Sequence, residues 1–288
     1  MKSKIIFLVV LSSLTACSPL ITLDGFLFDP VRIGEYLRPE DLREHGARLI
    51  VPDSLIEPVV LSSMGNKIYG YYVTGDPDSA SSNRVTVLYC HGKDDNINKY
   101  WCRVEYLWEM GYNTFIFDYQ GYGMSEGEPS GDALFSDGRR SLEYLLSRAD
   151  ADTVDIVFYG FSLGAFVAGH LAADIHHPAA VILEAGPASV TALLRDSGLI
   201  NLPGSYVVEA DFDNEKRIAD IQCPLLMMHG RLDEVASFEW HAPLVWDKAK
   251  QPKENLWIDH AGHSDIPEVL GSQYYKKVTD FVSRHVLN

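Results

Sequence analysis

The chain is poor in positive charge, poor in cysteine, and has no apolar run long enough to cross a bilayer as a mature helix. Lys and Arg number 24 against 40 Asp and Glu, a formal charge of −16. Phosphate backbones are bound by basic faces, so this balance argues against a nucleic-acid partner. It argues equally against a soluble domain held on anionic lipid by charge. Of the four cysteines, Cys90, Cys102 and Cys223 lie in or beside apolar segments and read as small buried hydrophobes. Three cannot all pair, so no disulfide framework is implied, although a Cys90–Cys102 bridge is conceivable. Repeats, low-complexity segments and Gly/Ser/Pro linkers are also missing. With 288 residues, 47% of them apolar, the chain reads as one compact α/β domain.

The first residues are different. Met1-Lys2-Ser3-Lys4 is a short basic start, Ile5 to Leu11 an apolar core, and Ser12 to Ala16 mostly small. That is the layout of a secretory signal, residues 1–16, too short to span a membrane. It ends in Leu14-Thr15-Ala16-Cys17, which resembles a bacterial lipobox. The resemblance implies cleavage before Cys17, lipidation of that cysteine, and a membrane partner reached through the anchor. Several acyl chains would hold durably without any transmembrane helix. Ser18 after the cysteine favours the outer membrane of a two-membrane bacterial envelope by the same resemblance. The alternative is an ordinary signal peptide with an incidental cysteine. Residues 17–47, with Pro19, Pro30 and Pro39, read as a lipidated tether and irregular leader.

The remaining span, 48–288, carries the pattern of a folded domain. Two β-prone runs, Val59 to Ser62 and Lys67 to Val73, flank Met64-Gly65-Asn66 as a hairpin. From Arg84 onward short apolar runs alternate with amphipathic segments. Strands are expected at Arg84–Cys90, Asn113–Tyr119, Val154–Tyr159, Ala180–Glu184, Pro224–His229 and Asn255–Asp259. Helices are expected at Asn96–Met110, Asp132–Ala149, Ser162–Asp174, Phe238–Lys250 and Ser272–His285. That alternation predicts an α/β fold with a mostly parallel central sheet and helices on both faces. Ligands in such sheets bind at the C-terminal strand ends.

Chemistry-bearing residues fall at those ends. Gly160-Phe161-Ser162-Leu163-Gly164 is G-x-S-x-G between a buried strand and a helix, the setting of a serine nucleophile. A serine hydroxyl needs a sharp turn to expose it, a base, and donors for the oxyanion it creates. Asp233, in His229-Gly230-Arg231-Leu232-Asp233-Glu234, is the candidate acid, with Glu234 as runner-up and a turn or helix-cap role as the plain alternative. His263, after Ala261-Gly262, is the candidate general base, with His260 as competitor and an exposed loop histidine as the plain alternative. The order serine, acid, histidine is the one hydrolases of this type follow. The backbone N–H groups of Leu163 and Lys93 are the candidate oxyanion donors. His91 reads as a packing residue. Gly121-Tyr122-Gly123 lacks the spacing of a phosphate cradle, and Tyr119 or Tyr122 is expected near the site entrance. The spacing of His91, His229, His260 and His263 fits no usual zinc pattern, so no metal or other cofactor is expected.

His91-Gly92, Asp118-Tyr119-Gln120-Gly121-Tyr122-Gly123-Met124-Ser125, Gly160 to Gly164, His229 to Asp233 and Gly262-His263 together resemble the α/β-hydrolase fold superfamily. Within it they are similar to the acylhydrolase, monoacylglycerol-lipase-like and serine aminopeptidase-like branch. The resemblance covers about residues 55–285. It implies a serine hydrolase working through an acyl-enzyme, with a cap insert after the sixth strand at about 187–222. Where family members often have small residues or Asn after His-Gly, this chain has Lys93, Asp94 and Asp95. The short cap suggests a small-molecule ester or thioester with a small to medium acyl group. An acyltransferase or peptidase on the same residues, or a catalytically silent envelope lipoprotein, are the alternatives. Oligomeric state is not legible.

Overall fold

The computed structural model describes residues 27–36, 41–48, 50–79, 84–151, 153–198 and 211–287. The expected signal (1–16), Cys17 and the middle of the cap insert (199–210) lie outside the described residues. The hairpin strands are β2 (Ile56–Ser63) and β3 (Asn66–Val73), antiparallel with Ser63 opposite Asn66. They edge an eight-stranded sheet of order β10-β9-β8-β7-β4-β6-β3-β2. Its other members are β4 (Thr86–Cys90), β6 (Asn113–Phe117), β7 (Ile156–Phe161), β8 (Ala180–Glu184), β9 (Leu225–Gly230) and β10 (Lys253–Ile258). β3 also runs antiparallel to β6, and every other pairing is parallel.

Strands β4, β6, β7, β8 and β9 are buried at every position. A parallel sheet covered on both faces has no solvent side, so its strands read as continuous apolar runs. Alternate residues feed two cores. Leu88, Phe115 and Phe158 meet α2 (Gly131–Ser147), α3 (Gly164–His170) and α6 (Phe238–Lys248) on one face. Val87, Tyr89 and Tyr159 meet α1 (Ile97–Glu109) and α8 (Ser272–His285) on the other. Side-chain caps fix where helices begin. Asn96 accepts from the Asn98 N–H at 3.0 Å and Ser130 from the Ala133 N–H at 3.2 Å. The α3 helix starts at Gly164, later than Ser162, and its last turn, Leu171–Ile175, is π-helical.

From Leu27 onward, the described residues of the leader depart from the irregular tether that its prolines predict. Leu27 and Phe28 are buried in the core. Asp29–Pro30 form β1, which pairs in parallel with β5, Asp94–Asp95. Asp41–His45 is a 3₁₀ turn. The cap insert contains α4 (Val190–Asp196) and α5 (Asn214–Arg217), and between α8 and β10 lies α7 (Ile266–Leu270). Among the described residues no helix is long and apolar enough to cross a membrane. Cys90, Cys102 and Cys223 are all free thiols.

Candidate active site

The sheet delivers three chain segments to one edge. β7 ends at Phe161, and Ser162 follows with a φ of 51°. A left-handed backbone at a residue with a Cβ costs roughly 1–2 kcal/mol. It turns the chain sharply enough to present the hydroxyl while the helix begins two residues later. Two glycines make this geometry possible. A Cβ on Gly160 would sit 2.5 Å from the Gly164 carbonyl oxygen, and one on Gly164 would run into the carbonyl of Cys90. The Ser162 N–H is held by the Glu184 carbonyl at 3.0 Å, which fastens the turn to the end of β8.

Asp233 comes from the loop after β9 and His263 from the loop after β10. The His263 ring lies between the other two groups: Nδ1 is 2.8 Å from Asp233 Oδ2, and Nε2 is 2.8 Å from Ser162 Oγ. Asp233 is buried. Its Oδ1 accepts the N–H groups of Val235 and Ala236 at 2.9 and 2.8 Å. Burial pushes its carboxyl up, but hydrogen bonds from His229 and His263 outweigh burial and hold it well below the usual carboxylate range. An ionised Asp233 can only accept, so His263 carries its proton on Nδ1 and offers a free Nε2 lone pair to the serine hydroxyl. His229 Nε2 donates to the Ala236 carbonyl at 2.8 Å and lies 3.2 Å from Asp233 Oδ2. The competitors are elsewhere: Glu234 and His260 are exposed to solvent.

Lys93, Ser162 and Leu163 share the wall of one cavity. The Lys93 carbonyl accepts the Asp29 N–H at 3.2 Å, so β1 pins the loop that carries this candidate donor. Gly92 leaves no room for a side chain, since its Cβ would meet Tyr100 Oη at 2.8 Å. His91 is fully buried and stacks at 5.0 Å on Tyr100. Tyr119 and Tyr122 correct the expectation of an entrance: both are buried, packed against His91. Their rings fill the space behind the loop instead of lining its mouth. No group of His, Cys, Asp or Glu among the described residues is arranged to hold a metal ion.

Sequence reasoning missed an ion pair under the site. Arg103 of α1 donates to Glu184 Oε1 at 2.5 Å and to the carbonyl of Ser264, beside His263, at 2.7 Å. Glu184 also accepts from Tyr159, whose hydroxyl meets that of Tyr274 at 2.8 Å. The Arg103 guanidinium lies 5.0 Å from the centre of the Phe161 ring. One buried pair thus spans the histidine loop and the serine strand. Its signal in the sequence is a charge at each of two apolar positions, the end of Ala180–Glu184 and the inner face of α1.

Comparison with known proteins agrees with this architecture. The family described as Serine aminopeptidase, S33 matches residues 81–198. Human alpha/beta hydrolase domain-containing protein 17B is 31% identical over 228 residues, covering 79% of this chain and 75% of that protein. The uncharacterized protein YfhR of Escherichia coli K12 is 29% identical over 225 residues, 76% of this chain and 77% of its own. An esterase of Pyrococcus furiosus superposes with a TM-score of 0.68 at 21% identity, covering 90% of this chain and 98% of that one. The chain belongs to the α/β-hydrolase family. It is a hydrolase with the general build of the esterases in that family.

Proposed function

We propose that the protein is a serine hydrolase that cleaves esters or thioesters of small to medium acyl groups through an acyl-enzyme. The observation that carries this is the unbroken hydrogen-bonded line Asp233–His263–Ser162, 2.8 Å at each step. Ser162 Oγ adds to the acyl carbonyl carbon while His263 Nε2 takes the hydroxyl proton. The carbonyl π pair moves onto oxygen, where the N–H groups of Leu163 and Lys93 receive it. The adduct collapses, the bond to the leaving oxygen or sulfur breaks, and His263 returns the proton to it. Water then repeats the sequence on the acyl-serine and frees the acid. Asp233 keeps the imidazole in its Nδ1–H tautomer and stabilises the imidazolium.

The apolar cavity beside Ser162 has about 130 Å³, well short of the ~300–1,000 Å³ that drug-sized ligands occupy. That supports a short acyl group. We further propose that the mature chain begins at a lipidated Cys17 and works on a bacterial envelope membrane, on the strength of Leu14-Thr15-Ala16-Cys17. A p-nitrophenyl ester series tests the reaction and the acyl size together. Turnover should peak at butyrate to hexanoate and disappear in Ser162→Ala. A peak on dodecanoate or longer esters contradicts the size assignment. Product analysis with an added alcohol separates hydrolysis from acyl transfer.

A further inference from the structure

We infer that the N-terminal leader, through Leu27, sets the length of acyl chain the protein accepts. The inference rests on the serine-hydrolase reading above. Ser162 stands where two cavities meet, and Lys93 and Val235 border both. The smaller, of about 130 Å³, is walled by Leu27, Leu163, Phe166, Pro187 and Leu193. The larger, of about 340 Å³, is walled by charged side chains, among them Asp94, Lys99 and Glu268, and by His263. Proton transfer decides which part of a substrate enters which lobe. The leaving oxygen or sulfur takes its proton from His263 Nε2, so it departs on the side that His263 borders. The acyl chain, with its carbonyl turned to the Leu163 amide, runs into the apolar lobe. Leu27 is therefore a wall for the acyl chain and not for the leaving group.

The wall is firmly held. Leu27 is 4% exposed and belongs to the same core as Phe28. The Phe28 ring meets Phe212 edge-on at 6.4 Å, and Phe212 meets Phe166 at 5.2 Å. Two residues after Leu27, β1 grips the Lys93 loop through the Asp29 N–H. A buried side chain backed by rings and by a strand does not swing aside, and truncating it leaves space that its neighbours refill only in part. Leader and oxyanion loop thus form one piece, and the leader takes part of the role expected of the cap.

The test is the acyl-length profile, acetate to dodecanoate, for wild type, Leu27→Ala and Leu27→Phe, each checked for a cooperative thermal melt. Leu27→Ala should raise the octanoate-to-butyrate ratio of kcat/KM about tenfold, the worth of two more buried methylenes. Leu27→Phe should lower the same ratio. Should the alanine variant not fold, Leu27→Val gives the same direction at smaller size. A set of butyrate esters with apolar, anionic and cationic leaving groups should keep its wild-type order in every variant. An unchanged acyl profile in folded variants overturns the inference and leaves the serine-hydrolase reading intact. So does a profile that holds while the leaving-group order shifts. Wild-type protein that hydrolyses none of the esters removes the underlying reading as well.

Discussion

At the scale of single residues the site is a study in enforced geometry. Ser162 adopts a backbone that a residue with a Cβ avoids, and so does Ala185 at the end of the neighbouring strand, with a φ of 49°. Strain of this kind persists only where the surroundings over-determine it. Here the constraint is the packing of Gly160 and Gly164 against backbone. Gly164→Ala forces its Cβ into the Cys90 carbonyl. We expect a loss of at least about 1–3 kcal/mol, read as a lowered denaturation midpoint. Asp233→Asn keeps the shape of the acid but can no longer hold His263 in its Nδ1–H tautomer. Turnover should fall by about 10³–10⁴ with KM little changed. A fall of less than tenfold would show that Asp233 does not orient the base.

At the scale of elements, Ser162, Asp233 and His263 each sit just past a parallel strand of the sheet, the first two past strands buried throughout and His263 past the half-buried β10. That is why Ser162, Asp233 and His263 were legible: each follows an apolar run that could only be a strand, in the order a hydrolase requires. Leu27 was not legible, because a strand of two residues, Asp29–Pro30, has no periodicity to read. Its partner, Asp94–Asp95, looks like loop by charge alone. The Arg103–Glu184 pair was hidden differently, since its members are 81 residues apart and only the fold joins them. Another long-range bracket closes the base of the cap. Asp196, the last residue of α4, accepts from the Ser237 N–H and hydroxyl at 2.8 and 2.7 Å. His241 of α6 lies alongside and accepts the Ala188 N–H on Nδ1 at 3.0 Å. Burial pulls the His241 ring down to about 4, with Asp196 opposing. The unfolded chain protonates this ring near pH 6.5 and the folded one only near pH 4. Stability from this group is therefore complete above pH 6.5 and drains away as pH falls toward 4, by up to about 3 kcal/mol. His241→Asn, whose amide oxygen can take over the Ala188 N–H, should flatten the dependence of the urea midpoint between pH 7 and 4.5. An unaltered slope would place the acid sensitivity elsewhere.

At the scale of the whole molecule, the leader from Leu27 onward is part of the domain. Residues that precede the main sheet fill its core, brace the Lys93 loop and wall the acyl lobe. In the proposed envelope setting this matters for placement. Leu27 is the tenth residue after Cys17, and at most ~3.6 Å per residue this wall of the acyl lobe can stand no farther than about 36 Å from the anchor's own attachment point. Cys17→Ala should move the protein from the membrane pellet to the soluble fraction and abolish labelling by a palmitate analogue. Retention in the pellet would contradict lipid anchoring. The acidic surface, net −16, gives no electrostatic hold on anionic lipid in its place. The most direct measurement is on the nucleophile: expose the folded wild-type protein to a fluorophosphonate and map the adduct by peptide mass spectrometry. The account predicts one adduct, on Ser162, absent in Ser162→Ala and formed far more slowly in His263→Ala. An unmodified protein, or an adduct on any other residue, would contradict it.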